Sequence, residues 1–177
     1  MGAQLTPEEI VKSFKYEFKT KIKDSRIEKH MTGTKKNELI HIWMTIEKDS
    51  LKNAVKHLTT LEKYPHLAVV SGYEMEKTID LVYHFSIYFG TRFKEISLNI
   101  TVQLPKSKPE IESICDLIPG ALITEQEKQE MLGVKVKGIP KDTRVFVSDD
   151  YPKGVYPWRK DKTGPTKTIR NLHEVKK

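Results

Sequence analysis

Three carboxylates late in the chain are the residues best suited to chemistry. Asp149 and Asp150 are adjacent, and Glu125 lies in a helical stretch before them. Such acids can act as general acid and base, or bind a cation. Adjacent acids in a segment rich in proline and glycine also cap turns or pair with arginines of another protein. We favour a role in capping turns or in pairing with arginines of another protein. A small enzyme that uses these three acids is the alternative.

The six histidines and the single cysteine do not form a metal-site pattern. His30 and His41, on neighbouring predicted strands, come nearest, and a zinc site needs more ligands than this pair. Cys115 has apolar neighbours and no His or Lys beside it in the sequence, so we expect a packed thiol rather than a nucleophile. We predict no metal site, no catalytic residue and no cofactor bound by this chain.

Motifs for nucleotide binding and serine catalysis are also missing from the sequence. Neither GxGxxG nor GxxxxGK nor GxSxG occurs. One cysteine excludes an internal disulfide and suits a reducing cytosol. No apolar run is long enough to cross a bilayer, and the first residues lack the pattern of a signal peptide. The abundance of Lys and Glu over Asn and Gln is typical of thermophiles, and we expect such a source.

The positive charge is concentrated at the C-terminal end. Eight basic and two acidic residues lie between Lys153 and Lys177, so this segment carries +6 of the net charge of +7. It has too few apolar residues to form a core. It is either a solvated end, or an arm on another protein anchored by Tyr156 and Trp158 with Arg159 at the rim. A nucleic-acid-binding tail is a further alternative, although no RRM, KH or helix-turn-helix pattern supports it.

The elements that would position these residues follow from periodicity and breakers. A helix is predicted from Pro7 to about Thr20, and another from Asp49 or Ser50 to before Pro65. Further short helices are predicted over residues 110–117 and 123–132. The strand-like segments are residues 26–32, 39–47, 66–73, 79–88 and 94–104, with brief pieces at 134–136 and 145–147. The short gaps before and after the segment at 79–88 predict antiparallel hairpins.

This order predicts an α+β fold, in which helices cover one face of a mostly antiparallel sheet. We expect an extended, Pro/Gly-rich basic C-terminal arm to follow it. Three regions are predicted: a body over residues 1–118, a short helix and turn region over 119–150, and the arm over 151–177.

One known family resembles the stretch from Ile114 to Asp161. The resemblance is to the 30-kDa-type subunit of respiratory NADH dehydrogenase, complex I, and its relatives in archaeal membrane-bound NiFe hydrogenases. It extends more loosely upstream, to about residue 66. The matching residues are Pro119-Gly120-Ala121, Glu125, Glu127, Glu130, Met131, Gly133, Gly138, Pro140, Arg144, Asp149-Asp150-Tyr151, Pro157 and Arg159-Lys160-Asp161.

Four positions depart from the family pattern. Gln126 replaces an arginine, Ile139 a histidine, Thr143 one of two arginines, and Trp158 a leucine. These departures favour the hydrogenase or sulfur-metabolising branch over complex I itself.

The resemblance implies a cofactor-free, non-catalytic peripheral subunit on the cytoplasmic side of a membrane complex. Its partners would be a hydrogenase-like large subunit and an iron–sulfur small subunit, which would hold the NiFe centre and the iron–sulfur clusters. The 30-kDa subunit of complex I itself, or a sulfane-reducing relative, is the alternative within this class. The residues predicted to contact partners are Glu125, Glu127, Gly133, Gly138, Pro140, Arg144, Asp149, Asp150, Tyr151, Tyr156, Pro157, Trp158, Arg159, Lys160 and Asp161.

Overall fold

A five-stranded sheet forms the centre of the protein, whose structure is a computed structural model. It describes residues 4–34, 37–90, 94–139 and 144–165. In the sheet the strands follow the order β1-β2-β5-β4-β3. Their bounds are β1 Ile22–Thr32, β2 Asn37–Ile46, β3 His66–Glu74, β4 Thr78–Ile87 and β5 Ile96–Pro105.

Three of the four strand pairs in this sheet are antiparallel. β1 pairs with β2, β3 with β4, and β4 with β5 in this way, whereas β2 and β5 run parallel. The short connections on either side of β4 predicted antiparallel hairpins, and both are confirmed. Two further strands, β6 Glu110–Glu112 and β7 Lys135–Lys137, form a small parallel pair.

Within the described residues three α-helices accompany the sheet, and local sequence signals fix two of their ends. The first begins with a capping box, in which the Thr6 side chain accepts from the Glu9 amide and the Glu9 carboxylate accepts from the Thr6 amide. The third ends at Gly133, whose left-handed conformation (φ 71°) suits glycine. The helices are α1 Pro7–Phe18, α2 Leu51–Leu61 and α3 Ala121–Leu132.

The core lies between the helices and one face of the sheet. Phe14 of α1 and Leu58 of α2 are fully buried there, and so are Ile42 and Leu98, which pair on the central strands. On β3, Gly72 lies under Leu132 of α3. All three helices therefore cover the same face, and the predicted α+β class and layer arrangement are confirmed.

The opposite face of the sheet is polar and internally hydrogen-bonded. Trp43 Nε1 donates to Glu28 at 3.1 Å. The His84 ring bonds the Asn99 side chain at 2.6 Å and the Ser71 hydroxyl at 2.9 Å. Alternation along the strands places apolar side chains inward and these polar groups outward.

Two local predictions are wrong. Residues 110–117 are not helical: Glu110–Glu112 forms β6, and a turn follows it. Ile111, Ile114 and Ile118 recur every three to four residues as in a helix, but pairing with β7 satisfies the backbone instead. Residues 145–147 form bends rather than a strand, because their amides bond a side chain.

Candidate functional site: the C-terminal motif around α3

Glu125 of α3 is buried inside the fold. Its carboxylate accepts hydrogen bonds from the Tyr83 hydroxyl at 3.1 Å, from the Ile114 amide at 3.2 Å and from the Ser113 hydroxyl. Burial raises the pKa of Glu125, and these three donors oppose the shift. The carboxylate thus joins α3 to β4 and to the turn after β6. Its predicted pairing with a partner's arginine does not fit this position.

Glu127 pairs with the neighbouring lysine on α3. The Lys128 ammonium group contacts the Glu127 carboxylate and lies 4.6 Å from the centre of the Trp158 ring. Lys128 is almost fully buried, so its charge needs both contacts. The Trp158 amide donates to the carbonyl of Met131 at 3.0 Å. This region of the arm is therefore fixed to α3.

Glu130 holds the loop of residues 144–151, which we name the Phe146 loop. Its carboxylate accepts from the backbone amides of Val145, Phe146 and Val147 at 2.7, 2.8 and 2.9 Å. One side chain thus satisfies three consecutive donors, and these hydrogen bonds are strong because the acceptor is charged.

Arg144, the first residue of this loop, closes it through contacts of its side chain with the last residues of the loop. Its Nη1 donates to the carbonyls of Ser148 at 3.0 Å and Tyr151 at 2.9 Å. The Tyr151 amide in turn donates to the Ser148 carbonyl at 3.0 Å. The backbone of the Phe146 loop is therefore fixed by an acid and an arginine that both belong to the family motif.

Replacing Glu130 with alanine should release the Phe146 loop. Three amides lose a charged acceptor, and we expect their hydrogen exchange to become about tenfold faster, as the loss of about 1.4 kcal/mol would give. Glu130→Gln keeps one acceptor oxygen and should show a smaller change. Exchange measured by mass spectrometry on a peptide covering Val145 to Val147 tests this, and unchanged rates in both variants would contradict the assigned contacts.

Arg159 ties the arm to the end of β3. Its guanidinium contacts Asp161, and its Nε lies 3.6 Å from Glu74, whose side chain is only 4% exposed. Lys106 also pairs with Glu74, and the Lys160 amide donates to the same carboxylate. We name Glu74, Lys106, Arg159 and Asp161 the arm clasp.

Asp161 orders the turn that follows. Its carboxylate accepts from the Thr163 amide at 2.8 Å, and the Gly164 amide donates to the Asp161 carbonyl at 2.8 Å. The hydrogen bond from Arg159 holds the pKa of Asp161 well below its usual range. The Arg-Lys-Asp ending of the motif is thus an intrachain contact.

Gly133 lets the arm approach the end of α3. A β-carbon at this position would lie 2.5 Å from the Tyr156 ring, so any side chain would push the ring away. The ring also lines an open groove of about 470 Å³ beside β7. Glycine is needed here for its positive φ and for the close approach.

Gly133→Ala should destabilise the protein by about 2 kcal/mol, because it combines a strained backbone with a clash against Tyr156. Gly33 is a matched control, since its φ is 69° and an added β-carbon would meet nothing within 4 Å. Gly33→Ala should therefore cost about 1 kcal/mol, the backbone part alone. Chemical denaturation of both variants measures the difference, and equal costs would show that Tyr156 does not limit this position.

The remaining residues that are predicted to contact partners differ in how exposed they are. Asp149, Asp150 and Lys160 are exposed, whereas Pro157 is half-buried. Gly138 is also exposed, and its carbonyl lies 3.8 Å from the sulfur of Cys115. Pro140, Thr143 and the arm beyond residue 165 lie outside the described residues.

The three acids that suggested an enzyme do not share one site. Glu125 is enclosed by Tyr83, Ser113 and Ile114, while Asp149 and Asp150 are exposed on the Phe146 loop. In the described ranges, no three His, Cys, Asp or Glu side chains are arranged to hold a metal ion. No helix in these ranges is long and apolar enough to span a membrane. The site is an array of structural contacts around α3.

Sequence reasoning missed the partners of the motif on the body. The sequence alone does not single out Glu74 and Lys106, because they precede Arg159 by many residues and obey no local pattern. One signal was available: Glu74 continues the inward-facing series of Val70 and Gly72, so an acid stands at a core-facing position. A buried acid needs a cationic partner, which the late arginine supplies.

Known proteins resemble this chain over most of its length. The family model described as "Respiratory-chain NADH dehydrogenase, 30 Kd subunit" matches residues 44–168. "Membrane-bound hydrogenase subunit beta" of Pyrococcus furiosus is 28% identical over 73% of this chain and 75% of that protein. A subunit of the F(420)H(2) dehydrogenase of Methanosarcina mazei is 32% identical over 75% of this chain and 83% of that protein.

A solved structure also shares the fold. A chain of the membrane-bound sulfane sulfur reductase, described as an archaeal respiratory membrane complex, superposes with a TM-score of 0.70. The match covers 96% of this chain and 95% of that one at 18% identity. The resemblance carried by the motif is thus confirmed by a match over more than half of the chain: the protein belongs to the family of the 30-kDa subunit of the respiratory-chain NADH dehydrogenase.

Proposed function

We propose that this protein is a non-catalytic, cofactor-free peripheral subunit of a membrane-bound hydrogenase complex. The observation that carries the proposal is the family match over residues 44–168, together with the similarity to a membrane-bound hydrogenase subunit. Its role is to orient the electron-transfer and catalytic subunits. The protein itself carries no electrons in this scheme.

The geometry of the motif supports a scaffold. Glu125, Glu130 and Arg159 are charged groups that an enzyme could use. They instead fix α3 to β4, the Phe146 loop to α3 and the arm to the end of β3. A surface held this firmly loses little conformational entropy when it binds, which favours a docking subunit.

The proposed partners are a hydrogenase-like large subunit and an iron–sulfur small subunit on the cytoplasmic side of the membrane. Those subunits would hold the NiFe centre and the iron–sulfur clusters. The arm is tied to the body at the clasp, and residues 166–177 that follow in the sequence include four basic residues and one acidic residue. We expect this basic segment to lie on the large subunit.

A dehydrogenase complex is the second candidate. The relative from Methanosarcina mazei is named as part of a dehydrogenase and has the higher identity, 32%. The two candidates differ in the metal of the partner subunit. Nickel measured in the purified complex would favour the hydrogenase, and its absence from an intact complex would favour the dehydrogenase.

Affinity purification of the tagged full chain from detergent-solubilised membranes tests the proposal. We expect an iron–sulfur protein and a large hydrogenase-like subunit to elute with it in fixed proportion. A soluble control protein carrying the same tag should retain neither. Recovery of the tagged chain alone, in the soluble fraction, would overturn the scaffold role.

Removing residues 166–177 should weaken assembly without affecting folding. The truncation after Pro165 keeps the arm clasp, so its melting temperature should equal that of the full chain. We expect the amount of co-purified large subunit to fall by about tenfold, because four basic side chains are lost. A variant with Lys12, Lys15, Lys21 and Lys23 changed to Ala controls for lost charge elsewhere. Full retention by the truncated chain would show that the segment is only a solvated end.

A further inference from the structure

The Phe146 loop exposes two large apolar side chains at once. Val145 is 50% exposed and Phe146 is 44% exposed, although they are adjacent in the chain. The loop does not fold these side chains inward. Its backbone is fixed by Glu130 on one side and Arg144 on the other, through hydrogen bonds with N–H and C=O groups.

This fixation indicates a prepared contact. A mobile loop would lose conformational entropy on binding, whereas a loop held by charged hydrogen bonds has already lost it during folding. Aromatic side chains, phenylalanine among them, are enriched at protein interfaces, where a few anchor residues carry most of the binding energy. Phe146 therefore has the features of an interface anchor.

The charge beside the anchor defines what can bind. Asp149 and Asp150 are exposed on the same loop, and neither forms an ion pair within the described ranges. Adjacent carboxylates repel phosphates of nucleic acid and anionic lipid headgroups. They attract arginine and lysine side chains, which bind carboxylates with charge-assisted hydrogen bonds.

We propose that the Phe146 loop docks into an apolar recess of a neighbouring subunit, with Phe146 inside the recess and basic side chains at its edge against Asp149 and Asp150. This inference rests on the proposed function and specifies one of its contact sites. The Phe146 loop presents carboxylates, whereas residues 166–177 are basic. The partner surface that binds the loop must therefore be basic, and the one that binds residues 166–177 must be acidic.

Purification of the tagged full chain from detergent-solubilised membranes tests the proposal through paired variants. Phe146→Ala should lower the amount of co-purified partner by about tenfold, because it truncates the anchor. Asp150→Lys should lower it by about as much, because it replaces an attractive charge with one that repels basic side chains. Tyr16→Ala and Glu17→Lys change an exposed aromatic and an exposed acid on α1, and they should change nothing. Equal melting temperatures for all four variants would show that each is folded.

A photoreactive phenylalanine analogue at position 146 identifies what the loop touches. We expect a cross-link to one subunit of the complex, at a peptide that contains apolar residues and Arg or Lys. Wild-type retention of partners by both loop variants, or a cross-link to lipid, to nucleic acid or to an acidic peptide, would overturn this proposal while leaving the proposed function intact. If the unmodified chain retains no partner, the proposed function fails and this inference fails with it.

Discussion

Replacing Arg159 with alanine should lower the free energy of unfolding by about 3 kcal/mol, because two charge-assisted contacts are lost at about 1.5 kcal/mol each. One is with Glu74, whose side chain is 4% exposed and lies 3.6 Å from Arg159; Glu74 keeps Lys106 as its other cationic partner. Asp161 loses its guanidinium partner in the same variant. Urea denaturation followed by circular dichroism measures the change.

Two further variants make this result specific. Arg159→Lys keeps the charge but lacks the planar fork, so it should recover less than half of the loss. Lys162→Ala removes an exposed cation three residues away and should leave stability unchanged within about 0.5 kcal/mol. If Arg159→Ala were as stable as Lys162→Ala, the arm clasp would contribute nothing to the fold.

Glu125→Ala should destabilise the protein by about 3 kcal/mol, because the buried donors of Tyr83, Ser113 and Ile114 lose their shared acceptor. Glu125→Gln keeps an acceptor oxygen and should stay within about 1 kcal/mol of the wild type at neutral pH. Glu17→Gln, which changes an exposed acid on α1, is the control for a lost carboxylate charge. Equal stability of Glu125→Ala and Glu17→Gln would contradict the buried site.

The pH dependence of stability gives an independent check on Glu125. Burial raises its pKa in the folded protein above that of the unfolded chain. Between these two pKa values the folded state binds more protons, so this group makes the free energy of unfolding fall as pH rises. Glu125→Gln should remove that fall. If the free energy of unfolding of the wild type minus that of Glu125→Gln did not fall as pH rises, the folded-state pKa of Glu125 would not be raised.

The sequence was informative where structure is local. Alternation identified the strands, and short connections identified the hairpins around β4, because neighbouring residues decide both. The motif from Pro119 to Asp161 identified the family. The prediction of a helix over residues 110–117 is wrong because β6 pairs with β7. That strand lies more than twenty residues later in the chain, so local periodicity does not indicate the pairing.

The roles of the motif residues were harder to predict, because they depend on contacts across the fold. Glu125 bonds Tyr83 on β4, and Arg159 faces Glu74 at the end of β3. Nothing in the spacing of these residues indicates a contact, so the sequence alone favours an intermolecular role for the charged motif residues. Several of them instead form intrachain supports, while Phe146, Asp149 and Asp150 are exposed beside them.

The central claim is that intrachain contacts of Glu125, Glu130 and Arg159 hold the proposed docking surface in place. If so, we expect the protein to form a stable complex with other subunits. Native mass spectrometry of the tagged chain, eluted from detergent-solubilised membranes, tests this most directly. We expect an assembly that contains this 20.5 kDa chain together with a hydrogenase-like large subunit and an iron–sulfur small subunit, one copy of each. A spectrum that shows only the free chain, or only multiples of its own mass, would contradict the scaffold role.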